Sequence, residues 1–452
     1  MNTAVLDIGK TNVKFAVFDP AGDLKFERQI ANITLPGPPY RHVDVEKIWT
    51  FLGASLHEAC GSLEVDTLVP TTHGATGAVI DDHGLVLPIM DYEFAGVQDI
   101  SRRYGELRDG FEKSFSPDMP VGLNWARQLA WQKWYHSVAF AKATAILAYP
   151  QYWAWRLTGG RANDICSLGC HTDLWLPLEN KPSSLANALG VSKLLAPVSP
   201  PWQAMGFIRP SVAAEFGLNS KIKVLCGIHD SNASLLPYLS AGETPLTVLS
   251  TGTWVVAMAI GHSLSNLRQD LDMLANIDAV GRPTACARFM GGREFSVIAG
   301  DCEAEVTIKN IEELIHAEVF AFPSFSPNGG PYATQTGEIL GHCANENRSS
   351  LATLYSALMC NNILDNLGVV SGDIIIEGSF ARNLPLAGLV AQLRPHQKIS
   401  VAVDQAGTAR GAAMLSHWPN TRQAPKLNLI APIGIGQLSQ YAARWLALIP
   451  KL

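Results

Sequence analysis

The sequence predicts an α/β fold in two domains, and three observations lead to it. With 452 residues, of which 47% are hydrophobic and 16% charged, the chain is too long for one hydrophobic core. A strand–turn–strand pattern occurs twice, at Ala4–Phe18 and at Leu246–Met258, about half a chain apart. The apolar run Lys223–Cys226 leads through a turn into a small-residue helix, a junction where open α/β sheets keep their sites. We therefore predict domains at 1–241 and 242–452, with the boundary near residues 241–243.

Charge and composition exclude several functional classes. The chain has 34 basic and 40 acidic residues, a net charge of −6, so no basic excess indicates nucleic-acid binding. No apolar stretch reaches the ~18 residues of a membrane span, and the first residues lead directly into a strand, so neither a membrane segment nor a signal peptide is expected. Among the eight cysteines no Cys-x-x-Cys pair occurs, which fits a reducing cytoplasm. Cys166, Cys170 and His171 resemble part of a metal cluster, but buried thiols are the favoured interpretation.

The turn Asp7–Asn12 between the first two strands is a candidate anion site. Its successive backbone N–H groups could bind an anion, with Thr11, Asn12 and Lys14 adding donors or charge. The carboxylate of Asp7 next to an anion makes sense if a divalent metal lies between them. An ordinary hairpin with a charged tip explains this stretch equally well.

Two details of this turn limit the interpretation. A Walker loop is rejected, because Ala4 stands where that motif needs glycine and a strand follows instead of a helix. Lys10 has no assigned role, and a solvated surface lysine is the expectation.

Other segments are predicted from periodicity and turn residues. Residues 163–175 are predicted to be a loop, Trp125 to be a core residue or a stacking platform for a ligand, and the chain after Trp418 to be a terminal apolar segment. Helices are predicted at Val45–Cys60 behind an Asp44 cap, Leu123–Tyr135, Ala143–Leu157 and Leu351–Leu367.

The strand–glycine–helix stretch at Asp373–Leu393 suits a flat nucleoside. The glycine at its centre, Gly378, lets a base or a ribose approach the backbone closely. A tight strand–helix junction without a ligand is the alternative interpretation.

Taken together, five motifs in this order resemble the FGGY family of carbohydrate kinases, within the actin/hexokinase/Hsp70 superfamily. The resemblance runs from residue 4 to about residue 415. The motifs are Asp7-x-Gly-x-Thr11-Asn12-x-Lys14, His73-Gly-Ala, Gly227-x-x-Asp230, Ser250-Thr-Gly252, and Gly378-Ser-Phe-Ala-Arg-Asn383 with the downstream Gly407-x-Ala-Arg-Gly-Ala. The resemblance implies two actin-like (ribonuclease H-like) domains around a central cleft, each a mixed sheet with flanking helices. The N-terminal domain would bind the sugar and the C-terminal domain the nucleotide.

The resemblance also implies roles for individual residues. Asp230 would be the general base for the sugar hydroxyl, ATP the phosphoryl donor, and Asp7 the residue that orients Mg²⁺. The phosphate- and ATP-binding residues would be Thr11, Asn12, Lys14, Thr251, Gly252, Gly378, Ser379, Ala381 and Asn383. The sugar-binding residues would be His73, Gly74, Asp91, Glu93, His229 and Asp230.

The sugar motifs depart from the family pattern, which leaves the substrate open. His-Gly-Ala replaces His-Gly-Gln, and the Trp-x-Asp-x-Arg segment appears only as Pro88–Glu93, without the tryptophan or the arginine. A small sugar is expected, and ketoses of the xylulose, ribulose, rhamnulose or fuculose type are the family's usual choices. The alternatives are a glycerol or polyol kinase, a catalytically silent sugar- or nucleotide-binding regulator, and an ATPase without a sugar acceptor. A monomer or a homodimer in the cytoplasm is expected.

Overall fold

The chain folds into two compact units. The computed structural model describes residues 1–219, 221–241, 245–327, 329–403, 407–420 and 425–449, and the predicted boundary at 241–243 lies mostly outside them. Described residues of the first unit come from 1–241, 275–283 and 407–420; those of the second come from 245–274, 284–403 and 425–449.

The first unit is therefore discontinuous in sequence, unlike the predicted continuous domain. Residues 407–420, predicted to belong to the C-terminal domain, group with the first unit. Their helix Thr408–Met414 packs closely on the helix Asp230–Ala241. A Cβ at Gly411 would lie 1.9 Å from the Ala233 carbonyl oxygen, so only glycine permits this approach.

A mixed sheet forms the centre of the first unit. The strand Asn2–Ile8 pairs antiparallel with Asn12–Phe18 and parallel with Val65–Thr72. Parallel to Val65–Thr72 run two further strands, Lys223–Leu225 and Ile228–His229. The order across the sheet is Ala204–Phe207, Lys223–Leu225, Val65–Thr72, Asn2–Ile8, Asn12–Phe18 and Leu24–Ala31.

The first strand is apolar on both faces because helices cover both. Ala4, Leu6 and Ile8 pack in one core cluster against the helix Val45–Cys60, which Asp44 caps as predicted. Val5 points to the other face and packs in a second cluster with residues of the Asp230–Ala241 helix. A strand buried on both faces reads as a continuous apolar run, the pattern of the opening sequence.

The second unit has a sheet of the same design. The strand Leu246–Thr251 pairs antiparallel with Val255–Ile260 and parallel with Asp373–Gly378. The order is Met273–Ile277, Pro283–Phe289, Val255–Ile260, Leu246–Thr251, Asp373–Gly378, Ile399–Ala402 and Leu427–Leu429, of whose residues only 275–277 and 283 group with the first unit. This repeats the arrangement of the first hairpin and confirms the predicted two-domain α/β class.

Helices and short strand pairs complete the described part of each unit. The other helices of the first unit are Ser101–Gly105, Phe111–Ser114, Trp125–Tyr135, Ser137–Phe140, Tyr149–Thr158, Ile165–Leu168, Ser184–Ala188 and Pro210–Glu215, with the 3₁₀ helix Ala95–Ile100. Those of the second are Gly291–Ala299, Ile308–His316, Arg348–Asn366, Leu384–Leu393 and Leu438–Leu448, with the 3₁₀ helices Gln269–Leu271, Asn345–Asn347 and Ser379–Arg382. The short pairs are Thr34–Leu35 with His42–Val43, Gly77–Ile80 with Ala145–Ala148, Trp175–Leu176 with Lys181–Pro182, and Phe320–Phe322 with Glu338–Leu340.

The predicted helix over Ala143–Leu157 is wrong in its first half. Ala145–Ala148 is a buried strand paired antiparallel with Gly77–Ile80, and the helix begins only at Tyr149. Pro150 lies in the first turn of that helix, where its missing N–H costs nothing. A proline inside the predicted helix was the signal of this boundary.

Two other segments contain more structure than predicted. The expected loop 163–175 includes the short helix Ile165–Leu168, which Asp164 caps. The segment after Trp418 contributes the strand Leu427–Leu429 and the helix Leu438–Leu448. In the described ranges, no helix combines the length and apolar character needed to cross a membrane.

Candidate active site

Three parallel strands of the first unit end side by side, and most predicted site residues of this unit follow their carboxyl ends. The register pairs Ile8 with Thr72, and Thr72 with His229. The Asp7–Asn12 turn, the His73–Gly74 turn and Asp230 follow these three ends. Loops at the carboxyl ends of neighbouring parallel strands converge at one edge of a sheet, where α/β proteins bind ligands.

The turn of the opening hairpin is held in shape by backbone contacts. The N–H of Gly9 donates to the carbonyl of Asn12 at 2.9 Å, and the Asn32 backbone N–H and side-chain amide hold the carbonyls of Thr11 and Gly9. Thr11 and Asn12 are exposed at the tip. The carbonyl groups of the turn are thus engaged in hydrogen bonds within the protein, while the tip of the turn remains accessible to a ligand.

Asp7 and Lys14 face each other across this hairpin. They are register partners on the two strands, which places their side chains on one face. Burial and the nearby Asp230 raise the pKa of Asp7 to about 7, although Lys14 lowers it in part. The ammonium group of Lys14 lies 3.5 Å from Glu27.

Lys10 is part of a charged network, and the expectation of a solvated surface lysine is wrong. Its ammonium group pairs with Asp91, lies 3.2 Å from Glu93, and sits 4.3 Å from the ring centre of Tyr92. Arg41 also pairs with the Asp91 carboxylate at 2.8 Å. The side chain of Asp91 is buried, and its Oδ1 also accepts the backbone N–H of Glu93 at 3.1 Å, whereas the side chain of Glu93 is about half exposed.

His73 is surrounded by aromatic rings. Its ring centre lies 5.5 Å from that of Tyr92 and 5.3 Å from that of Tyr149. Desolvation lowers the pKa of His73, which favours the neutral imidazole. The predicted partner Gly74 packs against His229, because a Cβ at Gly74 would lie 2.6 Å from its Nε2 atom.

Asp230 begins the helix Asp230–Ala241, which follows directly after strand Ile228–His229. Its Oδ1 accepts a hydrogen bond from the backbone N–H of Ser231 at 2.6 Å and lies 3.2 Å from His229 Nε2. The same His229 nitrogen lies 4.0 Å from the Cys170 sulfur. Asp230 thus combines a cap-like contact with a place in a cluster of ionisable groups.

Trp125, the possible sugar platform, belongs to the core. It is 1% exposed and packs in a hydrophobic cluster with Leu129 and Leu168. A Cβ at Gly77 would lie 1.9 Å from its ring. A fully enclosed ring has no face free for a sugar.

In the second unit, Thr251 and Gly378 lie next to each other. They are register partners at the carboxyl ends of two parallel strands. The hydroxyl of Thr251 donates to the carbonyl of Glu377 and accepts from the N–H of Phe380 at 2.9 Å. The Thr251 side chain is therefore occupied by backbone contacts, while Gly252 and Thr253 are exposed at the turn.

The predicted nucleoside residues surround the 3₁₀ helix Ser379–Arg382. Ser379 is exposed and Ala381 is half-buried. The Asn383 side chain caps the next helix by accepting from the Leu386 N–H at 3.1 Å, and its amide donates to Thr353 at 2.9 Å. Asn383 therefore supports the turn, and Ser379 is the residue with accessible polar atoms.

Beside the Gly252 turn lies a group that sequence reasoning missed. Arg288 makes two 3.0 Å contacts with the carboxylate of Asp272, and its guanidinium lies 4.9 Å from the ring centre of Trp254. The same carboxylate accepts the N–H of Gly330 at 2.9 Å. Trp254 directly follows the predicted turn in sequence, so its position was the available signal.

Sequence reasoning also missed Arg41, Tyr92, Tyr149 and the site role of Cys170. Tyr92 stands between two predicted sugar residues, which was a usable signal. Arg41, Tyr149 and Cys170 reach the site from distant segments, and no local pattern in the sequence indicates this.

The residues present are compatible with Mg²⁺ in one respect. Burial raises the pKa of Asp7, and the nearby carboxylate of Asp230 raises it further by repulsion, which a divalent cation would relieve. No group of three or more His, Cys, Asp or Glu ligands suited to a metal occurs among the described residues. Such a cation would therefore need phosphate and water oxygens as its other ligands, which is how Mg²⁺ usually binds.

Two profiles of one known protein family match this chain. A profile described as "FGGY family of carbohydrate kinases, N-terminal domain" matches residues 3–237, and one described as "Carbohydrate kinase FGGY, C-terminal domain" matches residues 243–425. A search of curated proteins returned no match.

Several solved structures share the fold over nearly the whole chain. A carbohydrate kinase from Novosphingobium aromaticivorans is 33% identical, with a TM-score of 0.91 over 99% of this chain and 98% of that one. A xylulose kinase from Rhodospirillum rubrum is 15% identical (TM-score 0.79, 99% and 97% covered). A glycerol kinase from Plasmodium falciparum is 14% identical (TM-score 0.79, 99% of both chains). The last two likenesses concern the fold alone.

Proposed function

The chain belongs to the FGGY family of carbohydrate kinases, and from that premise we propose that it transfers the γ-phosphoryl group of ATP to a hydroxyl of a small ketose, with Asp230 as the general base. The observation that supports this most is the position of Asp230. It follows a strand end beside Asp7 and His73, where both an acceptor sugar and a phosphoryl group could be reached.

Phosphoryl transfer requires positioning and charge neutralisation more than covalent chemistry. Asp230 accepts the proton of the attacking hydroxyl, a step that typically contributes ~10²–10⁴-fold to the rate. Thr11, Asn12 and Lys14, at the hairpin, hold the γ-phosphoryl oxygens through N–H groups and charge. Bound Mg²⁺, oriented by Asp7 through water, would neutralise phosphate charge.

The sugar is recognised by polar groups around Asp230. Glu93, half exposed and backed by Lys10, accepts hydrogen bonds from sugar hydroxyls. His73 and His229 offer ring nitrogens, and the Gly74 backbone lines the turn. Asp91 is buried between Lys10 and Arg41, so we assign it to holding these two side chains in place and not to contacting the sugar.

The nucleotide is assigned to the second unit. The exposed turn at Gly252 holds the β- and γ-phosphates through backbone N–H groups, because the hydroxyl of Thr251 is already occupied. Gly378, Ser379 and Ala381 line the adenosine, and Asn383 keeps that turn in place.

The first experiment measures ADP release with ATP and a panel of ketoses, aldoses, sugar acids and polyols. We expect one ketose to stimulate ADP release strongly. Stimulation by glycerol or another polyol alone would replace the ketose assignment with a polyol kinase. Sugar-independent ADP release would indicate an ATPase, and no turnover with any acceptor would indicate a silent regulator.

The second experiment tests the base. Asp230→Asn should lower kcat by ~10²–10⁴-fold and leave ATP binding intact, because the amide cannot accept the proton. Asp82→Asn, which changes an exposed carboxylate of the same unit, is the control and should retain activity. Near wild-type turnover of Asp230→Asn would remove Asp230 from this role.

The nucleotide assignment has its own test. The nearest atom to a Cβ at Gly252 would be 3.9 Å away, so Gly252→Ala should fold normally. If phosphates approach this backbone, the variant should raise the KM for ATP without changing the KM for the sugar. An unchanged KM for ATP would contradict the assignment.

A further inference from the structure

The sheet of the second unit has one exposed apolar edge. Leu427–Leu429 is an outer strand of this seven-stranded sheet, and all three of its residues are exposed. Leu427 is 38% exposed and Leu429 is 67% exposed. The other outer strand of the same sheet, Met273–Ile277, is buried along its whole length. Among the described residues, the strand Leu427–Leu429 therefore forms the edge that can accept a further strand.

The hydrogen bonds on the inner side of this strand define which groups point outward. The N–H of Ile430 donates to the carbonyl of Ile399, in the neighbouring antiparallel strand, at 2.9 Å. Residues of an antiparallel pair alternate between facing the partner strand and facing away from it. Asn428 therefore also faces the neighbouring strand, whereas the N–H and C=O groups of Leu427 and Leu429 point to the open edge.

Two copies of this edge are complementary to each other. When two chains meet in antiparallel orientation about a two-fold axis at Asn428, Leu427 of each copy lies opposite Leu429 of the other. Each such pair exchanges both of its N–H···O bonds, because the partially positive N–H groups and the partially negative carbonyl oxygens of both residues point to the shared edge. The leucine side chains of both copies lie on one face of the joined sheet and pack across the axis.

Other antiparallel registers satisfy this edge less well. A shift by one residue sets the outward groups of one copy against inward-facing groups of the other, so their bonds are lost. A shift by two residues places Leu429 opposite Pro425, which has no N–H, or Leu427 opposite Ala431, which has a much smaller side chain. At the axis of the favoured register the exposed Asn428 side chains meet, and a carboxamide can both donate and accept a hydrogen bond.

The charges near this edge permit the pairing. In the favoured register the Lys426 residues of the two copies stand four residues apart along the strands, about 14 Å. Exposed charges at that distance are largely screened at physiological ionic strength. The edge strand Leu24–Ala31 of the first unit is different, because it carries Lys25, Glu27 and Arg28, and charged residues typically prevent edge pairing.

We propose that the strand Leu427–Leu429 is a homodimer interface, where a second copy of this chain continues the sheet by antiparallel pairing about Asn428. A two-fold interface uses the same patch on both subunits, which this self-complementary edge provides. The paired edge is short, and small interfaces form reversible complexes, so the dimer forms in a concentration-dependent equilibrium. The proposal is independent of the proposed function, because no residue of this strand belongs to the candidate active site.

Analytical ultracentrifugation of the full-length protein measures this equilibrium. The wild type should shift from the 48.8 kDa chain to twice that mass as its concentration rises. Leu429→Asp should raise the dissociation constant by ~10²-fold or more, because each copy then places a carboxylate beside a leucine of the other. Leu24→Asp is the matched control and should leave the equilibrium unchanged, since Leu24 is 50% exposed on the edge strand of the first unit.

Cysteine cross-linking tests the register of the pairing. Asn428→Cys should form a disulfide between copies under mild oxidation, because residue 428 lies opposite itself at a non-hydrogen-bonded position, where Cα atoms are about 4.5 Å apart. Leu427→Cys should not, because the two introduced thiols would then be diagonal neighbours, with Cα atoms about 7–8 Å apart. The wild type is the control for its native thiols, of which Cys60, Cys302 and Cys343 are partly exposed.

Three results would overturn the proposal. A wild type that stays monomeric at every concentration would leave this edge to a strand of another protein or to water. A dimer that Leu429→Asp does not weaken would have its interface elsewhere. Equal cross-linking of Leu427→Cys and Asn428→Cys would show that the copies do not meet in this register. Thermal melts establish that each variant is folded, and if Leu429→Asp does not fold, the cross-linking of Asn428→Cys decides the question.

Discussion

Replacing Gly378 by alanine tests the backbone geometry of the second unit directly. Gly378 has φ 82° and ψ −146°, a region that residues with a side chain essentially do not adopt. A Cβ there would lie 1.9 Å from the carbonyl oxygen of Thr251, its register partner on the neighbouring strand. The Cβ of alanine is fixed by the backbone of residue 378 and the oxygen belongs to the backbone of Thr251, so no side-chain rotation can relieve this clash.

The expected cost follows from these two facts. Forcing alanine into this conformation costs ~1–3 kcal/mol. Moving Thr251 away weakens the parallel pairing, at about 1 kcal/mol for each net hydrogen bond lost. We therefore expect a loss of about 3 kcal/mol, which for a unit of this size lowers its Tm by about 6–12 °C.

The assay combines thermal unfolding with amide hydrogen exchange. Exchange should accelerate in the strands Leu246–Thr251 and Asp373–Gly378, because their pairing is what the substitution strains. Gly436→Ala is the control, since a Cβ at that glycine of the same unit would meet no atom within 4 Å. A Gly378→Ala variant with wild-type Tm and exchange would refute this reasoning.

Three further predictions address the site and its surroundings. Gly74→Ala should lower kcat, by up to ~10²-fold, because its Cβ would displace the His229 ring, and kinetics with a thermal melt measure this. Glu294→Gln should stabilise the protein increasingly as pH rises. Burial raises the folded-state pKa of Glu294, so the wild type loses stability as the pH rises through that pKa. Denaturant unfolding at about pH 5 and 8 compares the stabilities of the two proteins. Lys10→Met should cost ~1–3 kcal/mol and raise the sugar KM, because the buried Asp91 carboxylate loses a partner.

Each of these has a control and a contradicting result. Gly84→Ala places a Cβ in open space in the same unit, and equal kinetics for it and Gly74→Ala would contradict the His229 contact. If the stability difference between the wild type and Glu294→Gln did not change with pH, protonation of Glu294 would not be linked to unfolding. Lys142→Met changes a lysine outside the site, and a similar loss there would deny Lys10 a special role.

Much of the fold was accessible from sequence because local patterns and tertiary structure agree. Both hairpins, at Ala4–Phe18 and Leu246–Met258, form where apolar runs flank a glycine turn. The helix Val45–Cys60 carries its predicted cap. The prediction failed at Ala145–Ala148, where residues compatible with a helix are held as a strand by pairing with Gly77–Ile80, a choice that tertiary context makes.

The site was predictable only in part, for a similar reason. Motif residues such as Asp7, His73 and Asp230 follow strands, so their convergence can be inferred from an α/β architecture. Lys10 could not be assigned, because its partners Asp91 and Glu93 lie about 80 residues away.

The sequence by itself determined the two-domain α/β architecture, which depends on periodicity, turn chemistry and spacing. It also indicated the kinase family, through the resemblance of five motifs in order to the FGGY pattern. Only the tertiary structure decided which side chains are free to act. The side chains of Thr251 and Asn383 are used in hydrogen bonds that stabilise the turns of the second unit. Cys170 lies beside His229. Such pairings depend on distances between segments that lie far apart in the chain, and local sequence patterns carry no information about them.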